Sequence, residues 1–238
     1  QEFQGIIVEE VDRLNGVVSQ FLDYARPMQV HAIDVQADTL MQSVMALVVA
    51  EGLPPGVHVD YEAGVDVPPV SMDIEKLKQV VLNVLRNGIE SMSEAGGTLT
   101  VRTSAHIRGG DERVTSLRTV APSSGLVRVR RGGIQSRGWV EISFKDEGGG
   151  ITEEEARKLF IPFFTTKATG TGLGLPICER IMRAHGGEIE IISRPTTGTR
   201  FVLRLPLPEA EEPADEQDGL ATLDQLPALD PNALDRSS

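Results

Sequence analysis

At 238 residues with 40% hydrophobic side chains, the chain can bury a core in one large domain or in one domain with appendages. No run reaches the roughly 18 consecutive apolar residues of a membrane span, no charged start precedes an apolar h-region, and the single cysteine, Cys178, excludes an internal disulfide. The formal charge of −12 is uneven: residues 209–238 carry −8 and the rest only −4, so an acidic tail is set against a nearly balanced globular part expected in the cytoplasm or on its face.

Residues 2–26 place Ile7, Val11, Leu14, Val18, Phe21 and Ala25 at alternating spacings of four and three, a heptad seam ended by Pro27. A lone helix would leave that stripe wet, so the seam predicts partner helices. Residues 39–50 repeat apolar side chains with helical spacing through Leu40, Val44, Met45 and Val48, and residues 57–61 alternate as a short strand. Residues 73–92 predict a second helix whose apolar face is Leu77, Val80, Val81, Val84, Leu85 and Ile89. Asn83 and Asn87 stand one turn apart on a flank of it; asparagine is a mediocre helix former, so the pair is either two solvated amides or a cost tolerated for function. Leu99, Val101 and Thr103 alternate as a strand.

Residues 105–137 hold Gly109-Gly110, Ser123-Ser124-Gly125 and Gly132-Gly133, with alternation over 126–130, and predict a long hairpin insertion projecting from the sheet. Seven arginines there (108, 113, 118, 128, 130, 131 and 137) face only Asp111 and Glu112. With no interleaved aromatics in an acidic chain, this predicts a solvated arm rather than a nucleic-acid contact. Residues 139–144 form the next strand, with Val140, Ile142 and Phe144 inward, and Asp146 follows at the head of Gly148-Gly149-Gly150. After Phe160-Ile161-Pro162-Phe163-Phe164-Thr165-Thr166-Lys167, Gly170, Gly172 and Gly174 open a helix running through Ile177, Ile181 and Met182 to Gly186-Gly187. Pro176 fits in its first turn, and the backbone N–H groups there suit phosphate. Residues 188–192 and 200–205 alternate as closing strands; the proline-rich tail beyond has too few apolar groups to order itself.

In this order the segments around Asp146, Phe160 to Lys167 and Gly170 to Leu175 resemble the G1, F and G2 boxes of the histidine kinase catalytic domain, a member of the gyrase and MutL ATPase superfamily. Residues 73–92 resemble its N box, and Gly198 matches a third glycine. Residues 10–15 and 21–27 resemble the second helix of the dimerisation and phosphotransfer hairpin of these kinases. No Gly-x-x-x-x-Gly-Lys-Ser/Thr run and no Gly-x-Gly-x-x-Gly after the first strand points to the commoner nucleotide folds. The resemblance covers residues 8–206. The first hairpin helix, with its phosphoacceptor His-Glu-x-x-Asn-Pro-Leu type box, has no counterpart: His31, His58, His106 and His185 have other neighbours and read as surface or packing histidines.

The resemblance implies an α/β sandwich, a mixed sheet with helices on one face, preceded by one bundle helix over 1–27 and followed by a tail over 208–238. It implies that Asp146, an acceptor only when ionised, takes the exocyclic amine of adenine. Gly148 and Gly150 would admit the base, with Thr199 supporting Asp146. Lys167 and the backbone around Thr171, Gly172, Leu173 and Gly174 would hold the phosphates of ATP, beneath a lid over 151–171 anchored by Phe160 and Phe164. Asn87 would give an oxygen to Mg2+, a hard cation, and Asn83 would stand beside the reacting phosphate. The implied activity is transfer of the γ-phosphoryl group to a histidine and thence to a response regulator receiver domain, by a homodimer joined through its bundle helices. The Thr165-Thr166-Lys167 lid resembles the nitrogen-regulation type. A nucleotide-driven ATPase of the superfamily and a non-catalytic module are the alternatives.

Overall fold

The structure, a computed structural model, describes residues 26–107, 125–167 and 170–208, and singly residues 11, 16 and 22. The latter three are helical, while the rest of the expected bundle helix, the 108–124 part of the expected insertion and the tail from 209 lie outside the described residues.

From residue 26 onward the described residues hold eight strands and four helices in the order β1 (Ile33–Val35), α1 (Ala37–Glu51), β2 (Val57–Glu62), β3 (Val70–Met72), α2 (Ile74–Ser91), β4 (Gly97–Ile107), β5 (Val127–Gly132), β6 (Gly138–Lys145), α3 (Glu153–Lys158), α4 (Gly174–Ala184), β7 (Glu188–Arg194) and β8 (Gly198–Pro206). Six strands form one mixed sheet in the order β2-β4-β6-β8-β7-β5, in which only β2 and β4 run parallel. The α/β sandwich expected from the sequence is therefore present.

Register explains why one face is covered. Tyr61, Val101, Phe144, Phe201, Ile191 and Val129 pair successively across all six strands, so the period of two places one apolar row under the helices. Onto it pack α2, against β4 and β6, and α4, against β5 and β7, with α1 beside α2. Helix α2 starts where the Asp73 carboxylate accepts from the Lys76 N–H at 3.2 Å, and it buries Leu77, Val80, Val81, Val84 and Leu85. Helix α4 stops at Gly186, whose φ of +64° turns the chain back so that the Gly187 N–H reaches the Met182 carbonyl at 2.8 Å.

The strand at 127–132 corrects the expected hairpin arm. It does not fold back on β4 but lies at the opposite edge of the sheet, antiparallel to β7. Alternation shows that a segment is half-buried; it does not say which strand it joins. Charge supplies the reason here: Arg128 and Arg130 lie on the face away from the helices and pair with Glu190 and Glu188 of β7, whose carboxylates are buried. Arg204 of β8 closes the group by binding Glu141, Glu188 and Glu190. Two of the seven arginines, Arg128 and Arg130, are thus paired with carboxylates of the sheet, while Arg108, Arg113 and Arg118 lie outside the described residues.

A second, two-stranded sheet, β1 with β3, was not legible in the sequence because three-residue strands are too short to alternate visibly. It delivers Asp73 to α2. The other Asp73 oxygen accepts from the His31 N–H at 3.0 Å, and its own N–H donates to His185 Nε2 at 2.9 Å, which makes His185 a packing residue.

Candidate nucleotide site

Four segments converge between α2 and the start of α4. The first is the end of β6. Asp146 is 3% exposed, and its Oδ1 accepts two backbone N–H groups, from Gly148 and Thr199, each at 3.0 Å. The Asp146 N–H returns a bond to the Thr199 carbonyl at 2.9 Å. Burial pushes the Asp146 carboxyl above the ordinary aspartate range, and the N–H groups of Gly148 and Thr199, with the Ser91 hydroxyl, offset only part of that shift. The support expected from Thr199 comes from its backbone, since its hydroxyl lies 2.9 Å from Ser193 Oγ.

Glycines make this packing possible. A Cβ on Gly198, where φ is +108°, would fall 2.1 Å from the Asp146 carbonyl oxygen, so β8 approaches Asp146 only without a side chain. Gly148 lies against Ser91, whose Oγ is 2.3 Å from where its Cβ would be. Gly150 lies against the Arg194 carbonyl, so its bare Cα accommodates the β7–β8 turn. Ser91 went unremarked as a site residue in the sequence; its place on α2, four residues after Asn87, was the available signal.

Helix α2 supplies the second segment. Asn83 donates from Nδ2 to Cys178 Sγ of α4 at 3.2 Å, and its Oδ1 lies 2.3 Å from where a Gly174 Cβ would be. The amide therefore spaces the first residue of α4 from α2. Cys178 is buried and its thiol is pushed up to about 12, chiefly by desolvation, so it acts here as an uncharged packing and hydrogen-bonding group. One turn on, Asn87 Oδ1 accepts from Lys167 Nζ at 2.7 Å, and the same ammonium binds the Glu90 carboxylate.

The third segment runs from Thr152 to Lys167. Thr152 and Glu155 form a capping box that starts α3. Phe160 is buried in the core with the Arg131 guanidinium 5.1 Å from its ring centre; Phe164 is half-buried beneath Lys158. Each ring thus has a cation over it, but only Phe160 is part of the buried core. The Phe163 N–H donates to the Gly172 carbonyl at 3.1 Å, and a Gly172 Cβ would fall 2.4 Å from the Phe163 carbonyl carbon. The fourth segment, the start of α4, is thereby stapled to the third. Leu173 is buried and precedes the helix, its N–H directed to Thr171 Oγ1 at 3.4 Å, and the early N–H groups of α4 have no intrahelical acceptor.

The site thus has a buried acceptor at one end and, at the other, a helix start flanked by an ammonium and two amides. Among the described residues no group of three or more His, Cys, Asp or Glu could hold a metal ion alone. The Asn87 amide oxygen already holds a cation, the Lys167 ammonium, so the locus fits a metal that brings its remaining oxygen ligands on a nucleotide. The expected site residues are brought together: Asp146, Gly148, Gly150 and Thr199 in one group, and Asn83, Asn87, Lys167, Thr171, Gly172, Leu173 and Gly174 in the other.

Comparison with known proteins agrees with this arrangement. The family model described as "Histidine kinase-, DNA gyrase B-, and HSP90-like ATPase" matches residues 72–209. The signal transduction histidine-protein kinase AtoS of Escherichia coli K12 is 32% identical over 207 residues, which are 87% of this chain and 29% of AtoS. Full-length ShkA in complex with AMPPNP superposes with a TM-score of 0.61 at 20% identity, covering 88% of this chain and 39% of that one. ThkA in complex with the response regulator protein TrrA gives 0.57 at 23% identity, covering 87% and 51%. At those identities the two structures establish the fold. The chain spans less than a third of the length of AtoS.

Proposed function

We propose, given that this chain belongs to the histidine kinase-, DNA gyrase B- and HSP90-like ATPase family, that it is the catalytic region of a sensor histidine kinase. It holds ATP with Mg2+, passes the γ-phosphoryl group to a histidine on a bundle helix and serves a response regulator whose receiver domain takes the phosphoryl group on aspartate. AtoS carries that kind of activity in its name, and ThkA forms a complex with the response regulator protein TrrA. Homodimerisation through the 1–27 helix, action on the cytoplasmic side and independence from nucleic acid belong to the same reading. Among the described residues no helix is long and apolar enough to cross a membrane.

The observation that carries the kinase over an ATPase is Asn83. The ATPases of the superfamily place a glutamate one turn before the metal-binding asparagine to activate water. That slot here holds an amide, which can orient a nucleophile but has no useful basicity, and its Nδ2 is committed to Cys178. The neighbouring carboxylate, Glu90, stands three residues beyond Asn87, on the flank assigned to the metal and not in that upstream slot. Without a general base, hydrolysis lacks a contribution of about 10² to 10⁴ in rate. Positioning and charge stabilisation remain, which suit phosphoryl transfer to a nucleophile arriving on another helix.

Each residue then has a task. Asp146 accepts from the adenine amine while its Oδ1 is held by Gly148 and Thr199. Lys167 and the N–H groups at the start of α4 bind phosphate oxygens, and Asn87 gives one oxygen to the metal. Mg2+, when bound, neutralises charge on the phosphates. The test is incubation with γ-labelled ATP: the chain alone is expected to gain no label, and a supplied bundle helix bearing a His-Glu box to gain acid-labile label. Steady-state phosphate release near the enzyme median of about 10 s⁻¹ without such label would overturn the reading in favour of the ATPase.

A further inference from the structure

We infer that Glu90 is a positioning residue that holds the lid lysine, Lys167, on Asn87 in the nucleotide-free protein, so that nucleotide binding must exchange Glu90 for phosphate as the anionic partner of that ammonium. The inference rests on the nucleotide reading of the site.

Asn87 and Glu90 are three residues apart on α2 and share a flank, with an amide oxygen and a carboxylate converging on one point. Lys167 Nζ sits at that point, 2.7 Å from Asn87 Oδ1 and in contact with Glu90 Oε2. The lysine reaches it from a constrained turn: its N–H donates to Thr165 Oγ1 at 3.1 Å and its carbonyl accepts from the Gly170 N–H at 3.3 Å. The contact closes the lid on α2 across 80 residues of sequence.

Two chemical consequences follow. The oxygen assigned to the metal is covered by an ammonium, and the cation assigned to the phosphates is already neutralised. An unpaired Glu90 at the same place would repel a triphosphate; paired with Lys167 it leaves the flank neutral until a stronger anion arrives. The triphosphate of ATP carries several negative charges against the single charge of a carboxylate, so it can displace Glu90. The pair is partly exposed, 34% for the lysine and 51% for the glutamate, which makes it weak enough to exchange.

Glu90→Gln keeps the size and removes the charge. In the nucleotide-free chain, acylation of Lys167 by an amine-reactive ester, followed by mass spectrometry with the exposed Lys145 as internal reference, should rise several-fold in Glu90→Gln and further in Glu90→Lys. Calorimetric titration with Mg-ATP should show Glu90→Gln binding about two- to fivefold more tightly, because the competing anion is gone. A wild-type Lys167 that reacts as fast as Lys145, with no change in either variant, would overturn the inference. So would weaker Mg-ATP binding by Glu90→Gln, which would make Glu90 part of the nucleotide site. Failure of the wild type to bind Mg-ATP would instead overturn the nucleotide reading, and the labelling comparison would still decide whether Glu90 holds Lys167.

Discussion

Asp146→Asn separates binding from folding at one atom. The carboxylate is buried and its Oδ1 is fixed by the Gly148 and Thr199 N–H groups. An asparagine can keep those two bonds only by turning its carbonyl oxygen toward them, which aims its NH2 group at the adenine amine. Donor then faces donor, and the unmade bond costs about 1 to 3 kcal/mol, or roughly 5- to 150-fold in ATP affinity. Stability should move little, because loss of the charge-assisted bonds is offset by relief of a buried charge. The pH dependence has a definite sign. The folded carboxyl lies above its unfolded value, so ionised Asp146 opposes folding at neutral pH, and that opposition fades as pH falls through the raised folded value toward about 3.9. The stability of wild type relative to Asp146→Asn should therefore improve on acidification across that window. Isothermal titration with Mg-ATP and urea unfolding at several pH values measure the two effects. Wild-type affinity in the variant would refute the adenine assignment, and a loss of more than about 3 kcal/mol of stability would show that the charge serves the fold instead.

Three other expectations follow from the same geometry. Gly198→Ala forces a side chain onto the Asp146 carbonyl at a left-handed φ, and should cost at least about 1 to 2 kcal/mol in urea unfolding while weakening ATP binding. Arg204→Ala leaves the buried Glu141, Glu188 and Glu190 short of their shared partner and should cost about 3 to 5 kcal/mol. Burial alone would raise the Glu190 carboxyl, but the hydrogen bond and charge of Arg204, with Arg130 and Arg128, hold it below the usual range; its contribution is present above the unfolded value and is lost as pH falls through the folded one, so Arg204→Ala should flatten the acid limb of the stability curve. Cys178, buried with its thiol near 12, should resist a thiol reagent until the chain is unfolded, and Cys178→Ala, which frees the Asn83 amide, should weaken ATP binding more than Cys178→Ser.

What the sequence determined by itself was local or periodic. The apolar face of α2, the alternation of β6 and β8 and the glycines before α4 follow from spacings of 3.6 and 2 and from steric rules that act within a few residues. The glycine boxes, in their order with the asparagine helix, were enough to propose the site residues. Tertiary structure decided which distant groups meet. Lys167 finds Asn87 across 80 residues, Asn83 finds Cys178 across 95, and Asp146 receives the Thr199 N–H across 53. It also placed Val127–Gly132 beside β7 rather than β4, because Arg128 and Arg130 meet Glu190 and Glu188 there. Periodicity tells a segment which face to bury; the neighbour is chosen by register and charge complementarity, which exist only once the sheet has formed.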